Sequence, residues 1–174
     1  MKIKMITAGI LGSIMMLHAV NVGEVLSPVV LDKNNGNDSS DKAWHSESLR
    51  GKVHVLLYMD PDEGKGVMSF IDTLNSKKYA KSKYSIVSIV NLAATWMPDA
   101  ILQSKLSKKQ KELQNTELVF DKTKYLVKEW QMKDDATNVL VLDKNMKVLY
   151  QKSGKLSKKD EKKILAIVEE HINK

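Results

Sequence analysis

The architecture of this chain turns on "VHVLLYMDPDEGKG", Val53–Gly66. Its opening run, Val53–Met59, is apolar apart from His54 and is bounded by Gly51 and Pro61. That is the pattern of a strand covered on both faces. A short acidic, glycine-rich turn follows, and Val67, Phe70, Ile71 and Leu74 then recur at helical spacing. A second stretch, "YSIVSIVNLAATWMPDA" (Tyr84–Ala100), has the same outline: an apolar run, a turn, then a helix that Pro98 suits at its first turn. Two strand-to-helix turns, Asp60–Gly66 and Asn91–Ala100, therefore compete for the central place in one sheet. The choice decides which side chains meet at the strand ends.

Outside these two units the punctuation is regular. Val25–Leu31 is a short apolar run. "DKNNGNDSSDKAW" (Asp32–Trp44) is polar, with Asn35-Gly36 as a hairpin signal. Ser46–Lys52 leads into the first long strand. Pro98–Leu113 reads as a helix with a sparse apolar face of Ile101, Leu102, Leu106 and Leu113. Thr116–Phe120 is a short strand, and Tyr125, Leu126 and Trp130 fall on a short helix. Asn138–Asp143 and Lys147–Lys152 form a hairpin across Lys144–Met146. Ser157 caps a final helix with Asp160 at the capping-box position, and Ile164, Leu165, Val168 and Ile172 face inward from it. The order is β, β-α-β-α-β-α-β-β-α. Helices alternating with apolar strands give a sheet that is parallel at its centre, and an antiparallel hairpin and a helix end it. This is an α/β, thioredoxin-like order with a central mixed sheet. A flavodoxin-like doubly wound sheet is the alternative. The late hairpin counts against it, because that fold would interpose a helix.

A chain of 174 residues suits one domain plus a targeting segment. Cysteine is absent, which excludes disulfides, thiolate metal sites, thiol redox chemistry and lipidation on cysteine. Formal charge is +7, from 28 basic against 21 acidic residues, and Arg50 is the single arginine. A lysine excess without arginine forks reads as a solvated surface, so no nucleic-acid partner is expected. Residues 1–19 read as a cleavable export signal. Lys2 and Lys4 give a basic start, Met5–Leu17 is apolar, and Ala19 is a small residue at the cut. Val20 and Val22 lengthen the apolar stretch towards a membrane span, but its glycines and small end favour cleavage. Loss of Lys2 and Lys4 leaves a basic domain over residues 20–174, at +5. No stable membrane insertion is expected after cleavage.

The segment before the first long strand separates the two competing turns. "VGEVLSPVVLDKNNG…SLRGKVHVLLYM" resembles the opening of peroxiredoxins and of periplasmic thioredoxin-like reductases, through Pro28, Leu31, Gly36, Leu49, Gly51 and Lys52. "TELVFDKTKYLVKEWQM" resembles the strand and helix that those families place before their cis-proline. The resemblance makes Val53–Met59 the strand that carries the active-site loop. Asp60–Gly66 is then the aligned loop, with Glu63 and Gly66 where two cysteines would stand and Asn138 where the cis-proline would stand. The likeness of "ATWMPDA" to a redox motif with its cysteines replaced becomes coincidence.

The chain after the signal more specifically resembles the YtfJ family of small exported proteins. The likeness rests on "GKVHVLLYMDPDE", "NLAATWMP", "DKTKYLVKEWQM" and "NVLVLDKNMKVLYQKSGKLS". It implies a thioredoxin-like fold and a periplasmic location, and it brings no established activity. Met146 departs from the family pattern, which implies glycine in that hairpin turn. Strain or a wider loop is expected there.

Thiol peroxidase or reductase chemistry needs a thiolate at a helix N-terminus, and the sequence has no thiol. Such a helix end attracts anions, yet Asp60, Asp62 and Glu63 crowd it with negative charge. These carboxylates read as caps answering the helix dipole. They read alternatively as a weak oxygen-ligand cation site, without the spacing or the distal glutamate of a calcium loop. His45, His54 and His171 lack metal-ligand spacing. Met59, Met68 and Met97 read as core filler before they read as a Cu(I) thioether site. Trp96 is a candidate for a recognition groove, Trp130 for a core anchor. No catalytic residue, metal or cofactor is expected. The candidate binding residues are Asp60, Asp62, Glu63, Lys65, Trp96, Thr137 and Asn138. The expected function is a periplasmic, non-catalytic binding or interaction module for a protein or a small ligand. The alternatives are a metal-dependent or other non-thiol enzyme at the same sheet end, and a lysine-rich module for anionic membranes.

Overall fold

The computed structural model describes residues 19–110 and 115–174. The expected signal segment, apart from Ala19, and Leu113 lie outside the described residues. Two short strands, β1 (Val30–Leu31) and β3 (Trp44–His45), pair antiparallel with each other. The main sheet is built from β2 (Gly36–Asp38), β4 (Val53–Met59), β5 (Tyr84–Asn91), β6 (Thr116–Asp121), β7 (Asn138–Leu142) and β8 (Val148–Ser153). Its order is β2-β6-β5-β4-β7-β8. Helices α1 (Gly64–Ser76), α2 (Asp99–Gln110), α3 (Tyr125–Glu129) and α4 (Lys158–Ile172) connect and close it.

β4 is the central strand. It runs parallel to β5, with Leu56 opposite Val87, and antiparallel to β7, with Leu56 opposite Leu140. The other neighbour of β5 is β6, not β7. The register that places Asp60–Gly66 at the site end of the sheet is therefore the one the chain adopts. All of β4 is buried, which accounts for its unbroken apolar run. Alternate residues serve two cores. Leu56 and Tyr58 pack with Leu31, Trp44, Leu126 and Trp130. Val55, Leu57 and Met59 pack with Val67, Phe70 and Ile71 of α1 and Ile164 and Val168 of α4. Trp130 is fully buried and its indole Nε1 donates to the Ser27 carbonyl at 2.9 Å, so it anchors the core as read. Ser157 and Asp160 form the expected capping box on α4.

His54 is the exception in β4. Burial, with the Lys52 charge behind it, lowers its pKa to about 4. It is a neutral core histidine, far from any ligand role. Met146 adopts φ +65° in the β7–β8 turn while its side chain is fully buried. The strain expected at that position is present. Asp143 Oδ1 holds the turn by accepting the N–H groups of Asn145 and Lys147 at 2.8 and 2.9 Å.

Two local expectations fail. The stretch holding Asn35-Gly36 does join an antiparallel pair, β1 and β3, but not through a tight two-residue turn, because Gly36 opens β2, which pairs antiparallel with β6. Gly36 allows this because a Cβ there would lie 2.1 Å from the Phe120 carbonyl oxygen. Ile101 is half exposed, so the inward face of α2 rests on Leu102 and Leu106. Among the described residues, no helix is long and apolar enough to cross a membrane.

Candidate functional site

The carboxyl ends of parallel strands are where open α/β sheets receive ligands. Here β4 ends just before Asp60, and β5 ends at Asn91. Asp60 is 7% exposed, and the Asn91 amide donates to its Oδ1 at 2.7 Å. Burial raises the pKa of Asp60. The Asn91 bond opposes that shift, while Asp134 and Asp135 reinforce it. One carboxylate oxygen from each of Asp60, Asp134 and Asp135 lies within 4.8 Å of the others. Lys124 pairs with Asp134 at 2.7 Å, and this bond lowers the Asp134 pKa. The neighbouring Asp121 is committed to structure. It is fully buried, and it accepts from the N–H groups of Thr123, Tyr125 and Leu126 at the start of α3 and from the Tyr58 hydroxyl at 3.2 Å.

The candidate residues of the sequence divide. Asp60, Asp62, Glu63 and Lys65 share the turn into α1, with Asp60 buried and the other three exposed. Glu63 precedes α1 in helical backbone geometry and makes no side-chain bond to the helix end. The carboxylates therefore do not cap α1 through side-chain hydrogen bonds. Asn138 is paired with Tyr58 across the β4–β7 ladder, so the aligned cis-proline position does lie beside the loop. Its amide is occupied, bonding Lys133 through both backbone groups, the Ala136 carbonyl and the Ser153 hydroxyl. Thr137 is buried, and its carbonyl accepts from Gly154 N–H at 2.8 Å. Trp96 is 92% exposed. Asp134 and Asp135, which sequence reasoning passed over, are brought to Asp60 by the loop into β7.

A cavity of about 190 Å³ opens from this end, between α1, α2 and the sheet. Met59, Met68 and Ile71 wall one side; Val90, Leu102, Leu106 and Leu118 wall the other. Asp60 and Lys65 are its charged members, and Ser88, Gln110 and Thr116 add neutral polar groups. Met97 is not a lining residue; it packs against the cluster that includes Val90, Leu102 and Leu118 from that wall. The three methionines thus do not all line one site.

Fold and site together define a thioredoxin-like domain that keeps the site end of the sheet and carries no thiol there. The chain belongs to the bacterial family described as "Bacterial protein of unknown function (YtfJ_HI0045)", whose model matches residues 16–171. It is 25% identical over 184 residues to the uncharacterised protein YtfJ of Escherichia coli K12, spanning 97% of this chain and 96% of that one. Among solved structures it is similar to a putative thiol:disulfide interchange protein DsbE from Chlorobium tepidum. That likeness has TM-score 0.65 and 15% identity, covering 88% of this chain and 99% of that one. It is also similar to a peroxiredoxin-like protein from Aquifex aeolicus, with TM-score 0.58 and 12% identity, covering 86% and 88% of the two chains. These structural likenesses bear on the fold alone.

Proposed function

We propose that the protein is a periplasmic, non-catalytic binding module, exported by residues 1–19, whose ligand or partner engages the carboxyl end of the sheet. The observation that carries this reading is the apolar cavity with buried Asp60 in its wall. A concave, largely apolar space with few polar groups is the usual form of a small-ligand site. The chemistry of the related fold is closed to this chain because it has no cysteine. It is expected neither to reduce insulin disulfides nor to consume peroxides; turnover that survives repurification would count against the reading. The direct test fills the cavity. Leu106→Trp, made from the partly buried face of α2, should abolish binding of apolar fragments detected by chemical-shift changes while the protein stays folded. Unchanged fragment binding by a folded variant would place the site elsewhere.

The second reading is a metal-dependent or other non-thiol enzyme at the same end. The convergence of Asp60, Asp134 and Asp135 favours it. Metal analysis of purified protein separates the two, since a tightly held stoichiometric ion would support the enzyme.

A further inference from the structure

We infer that a second concave site, at the opposite end of the sheet from Asp60, receives a phosphate monoester, carried by a soluble molecule or by a lipid headgroup. A cavity of about 170 Å³ opens where β4 begins. The loop into β5 walls it with Ser82 and Lys83, the β7–β8 turn with Lys144, and the last turn of α4 with His171. The length of β4, roughly 20 Å, separates it from Asp60. The site therefore goes beyond the sheet-end reading and is independent of it.

Backbone bonds fix where the two lysines stand. β5 and β7 flank β4, so Lys83, before β5, and Lys144, after β7, lie on its two sides. Val53 N–H donates to the Lys83 carbonyl at 2.9 Å, and Gly51 N–H donates to the Lys144 carbonyl at 2.8 Å. Among the described residues, no carboxylate pairs with either ammonium. The carboxylates beside them are engaged elsewhere. Glu169 pairs with Lys77 at 2.8 Å and Glu170 with Lys174 at 2.6 Å. Asp143 Oδ1 accepts two N–H groups of its own turn. The carboxyl end of α4 adds about half a negative charge, which two full positive charges outweigh. His171 Nδ1 is held by the Ile167 carbonyl at 2.8 Å, and this leaves Nε2 as the ring's remaining polar atom.

Charge and size choose the anion. A phosphate monoester carries about −1.5 to −2 charge and three strong acceptor oxygens. Two ammonium groups and the Ser82 hydroxyl match that demand, with lysine acting as a point charge on phosphate. A carboxylate brings a single charge and leaves one lysine unanswered. A volume of about 170 Å³ equals roughly five or six waters of the liquid, which seats a phosphate and leaves its ester arm towards solvent.

The experiment titrates the folded protein, at constant ionic strength, with glycerol 3-phosphate, inorganic phosphate and acetate. Binding is read from the amide signals of Gly51 and Ser82 and from the His171 ring. Both phosphates should shift these signals to saturation, and acetate should not. Lys83→Gln and Lys144→Gln, at exposed positions that the fold tolerates, should each weaken binding up to about fivefold, as one exposed charge contact allows. The double variant should not bind. Lys159→Gln removes the same charge near the start of α4, away from the cavity, and should change nothing. Phosphatidylcholine vesicles doped with phosphatidic acid or, at matched charge, with phosphatidylserine separate the two sources. Sedimentation about tenfold tighter with phosphatidic acid assigns the site to a lipid headgroup. Binding of glycerol 3-phosphate without sedimentation assigns it to a soluble ester. Equal sedimentation with both charged vesicles, and no saturable response to glycerol 3-phosphate, would overturn the site in favour of a diffuse basic surface. An equal loss in Lys159→Gln and Lys83→Gln would overturn it as well. Silence from every probe would overturn it and leave the sheet-end reading untouched.

Discussion

His54 shows how one residue can set the acid limit of a fold. It sits in the central strand, and burial holds its pKa at about 4, below the ordinary value of 6.5. The unfolded chain therefore binds a proton in the interval where the folded chain refuses it. Stability from this group is complete above about pH 6.5 and is lost as pH falls through 4. The loss is on the order of 3 kcal/mol. Asp60 and Glu117, raised by burial, work in the opposite sense and gain as pH falls. Comparison with His54→Leu isolates the histidine: chemical denaturation at pH 7.5 and pH 5 should show a smaller acid loss in the variant. An identical pH dependence would mean that His54 is solvated. Met146 poses a different contest. Glycine would relieve φ +65°, worth about 1–2 kcal/mol, but would remove a fully buried side chain, worth about 2–5 kcal/mol. Burial wins, so Met146→Gly should lower the denaturation midpoint. A rise would show that backbone strain dominates.

The elements were legible where the signal was local or the burial complete. The apolar run of Val53–Met59 announced a doubly covered strand, and the Ser157–Asp160 spacing announced the start of α4. β2 was not legible, because Asn35-Gly36 signals a turn but cannot say which distant strand will be paired. Its partner, β6, lies far along the chain and pairs with it over Gly36–Asp38, leaving no room for a side chain at Gly36. The site divided in the same way. Asp60 could be read because it follows the central strand directly. Asp134 and Asp135 look like any polar loop until β7 is placed beside β4. The exposure of Trp96 could not be read either, because an apolar run followed by a turn does not say which way an indole points. Gly36→Ala tests the edge pairing. The clash with the Phe120 carbonyl should detach β2, so hydrogen exchange should speed up in β2 and β6 while β4 stays protected. Unchanged protection across β2 and β6 would mean that the edge can shift to admit a methyl group.

At the scale of the whole molecule, the described chain is bound into the fold from Val20 onward. Val20 is buried in the core of Trp130, and its N–H donates to the Trp130 carbonyl at 3.3 Å. Gly23 and Glu24 exchange bonds of 2.8 Å with Val148, and Leu26 N–H reaches the Met146 carbonyl at 2.9 Å. Val25 bridges to Lys147, and Ser27 accepts the Trp130 indole. This strap lies along the β7–β8 hairpin and covers one side of the core. Processing after Ala19 would leave all of it intact, whereas a cut a few residues later would not. Val20 and Leu26 together contribute about 3–6 kcal/mol of apolar burial. Small domains hold only about 5–15 kcal/mol in total. A chain beginning at Pro28 should therefore melt about 10 °C or more below one beginning at Val20, and its Trp130 fluorescence should report a wetter indole. Mass spectrometry of protein recovered from its host should place the mature N-terminus at Val20 or before it. A natural N-terminus beyond Leu26, on a protein as stable as the longer chain, would show that the strap is dispensable and the expected cleavage site misplaced.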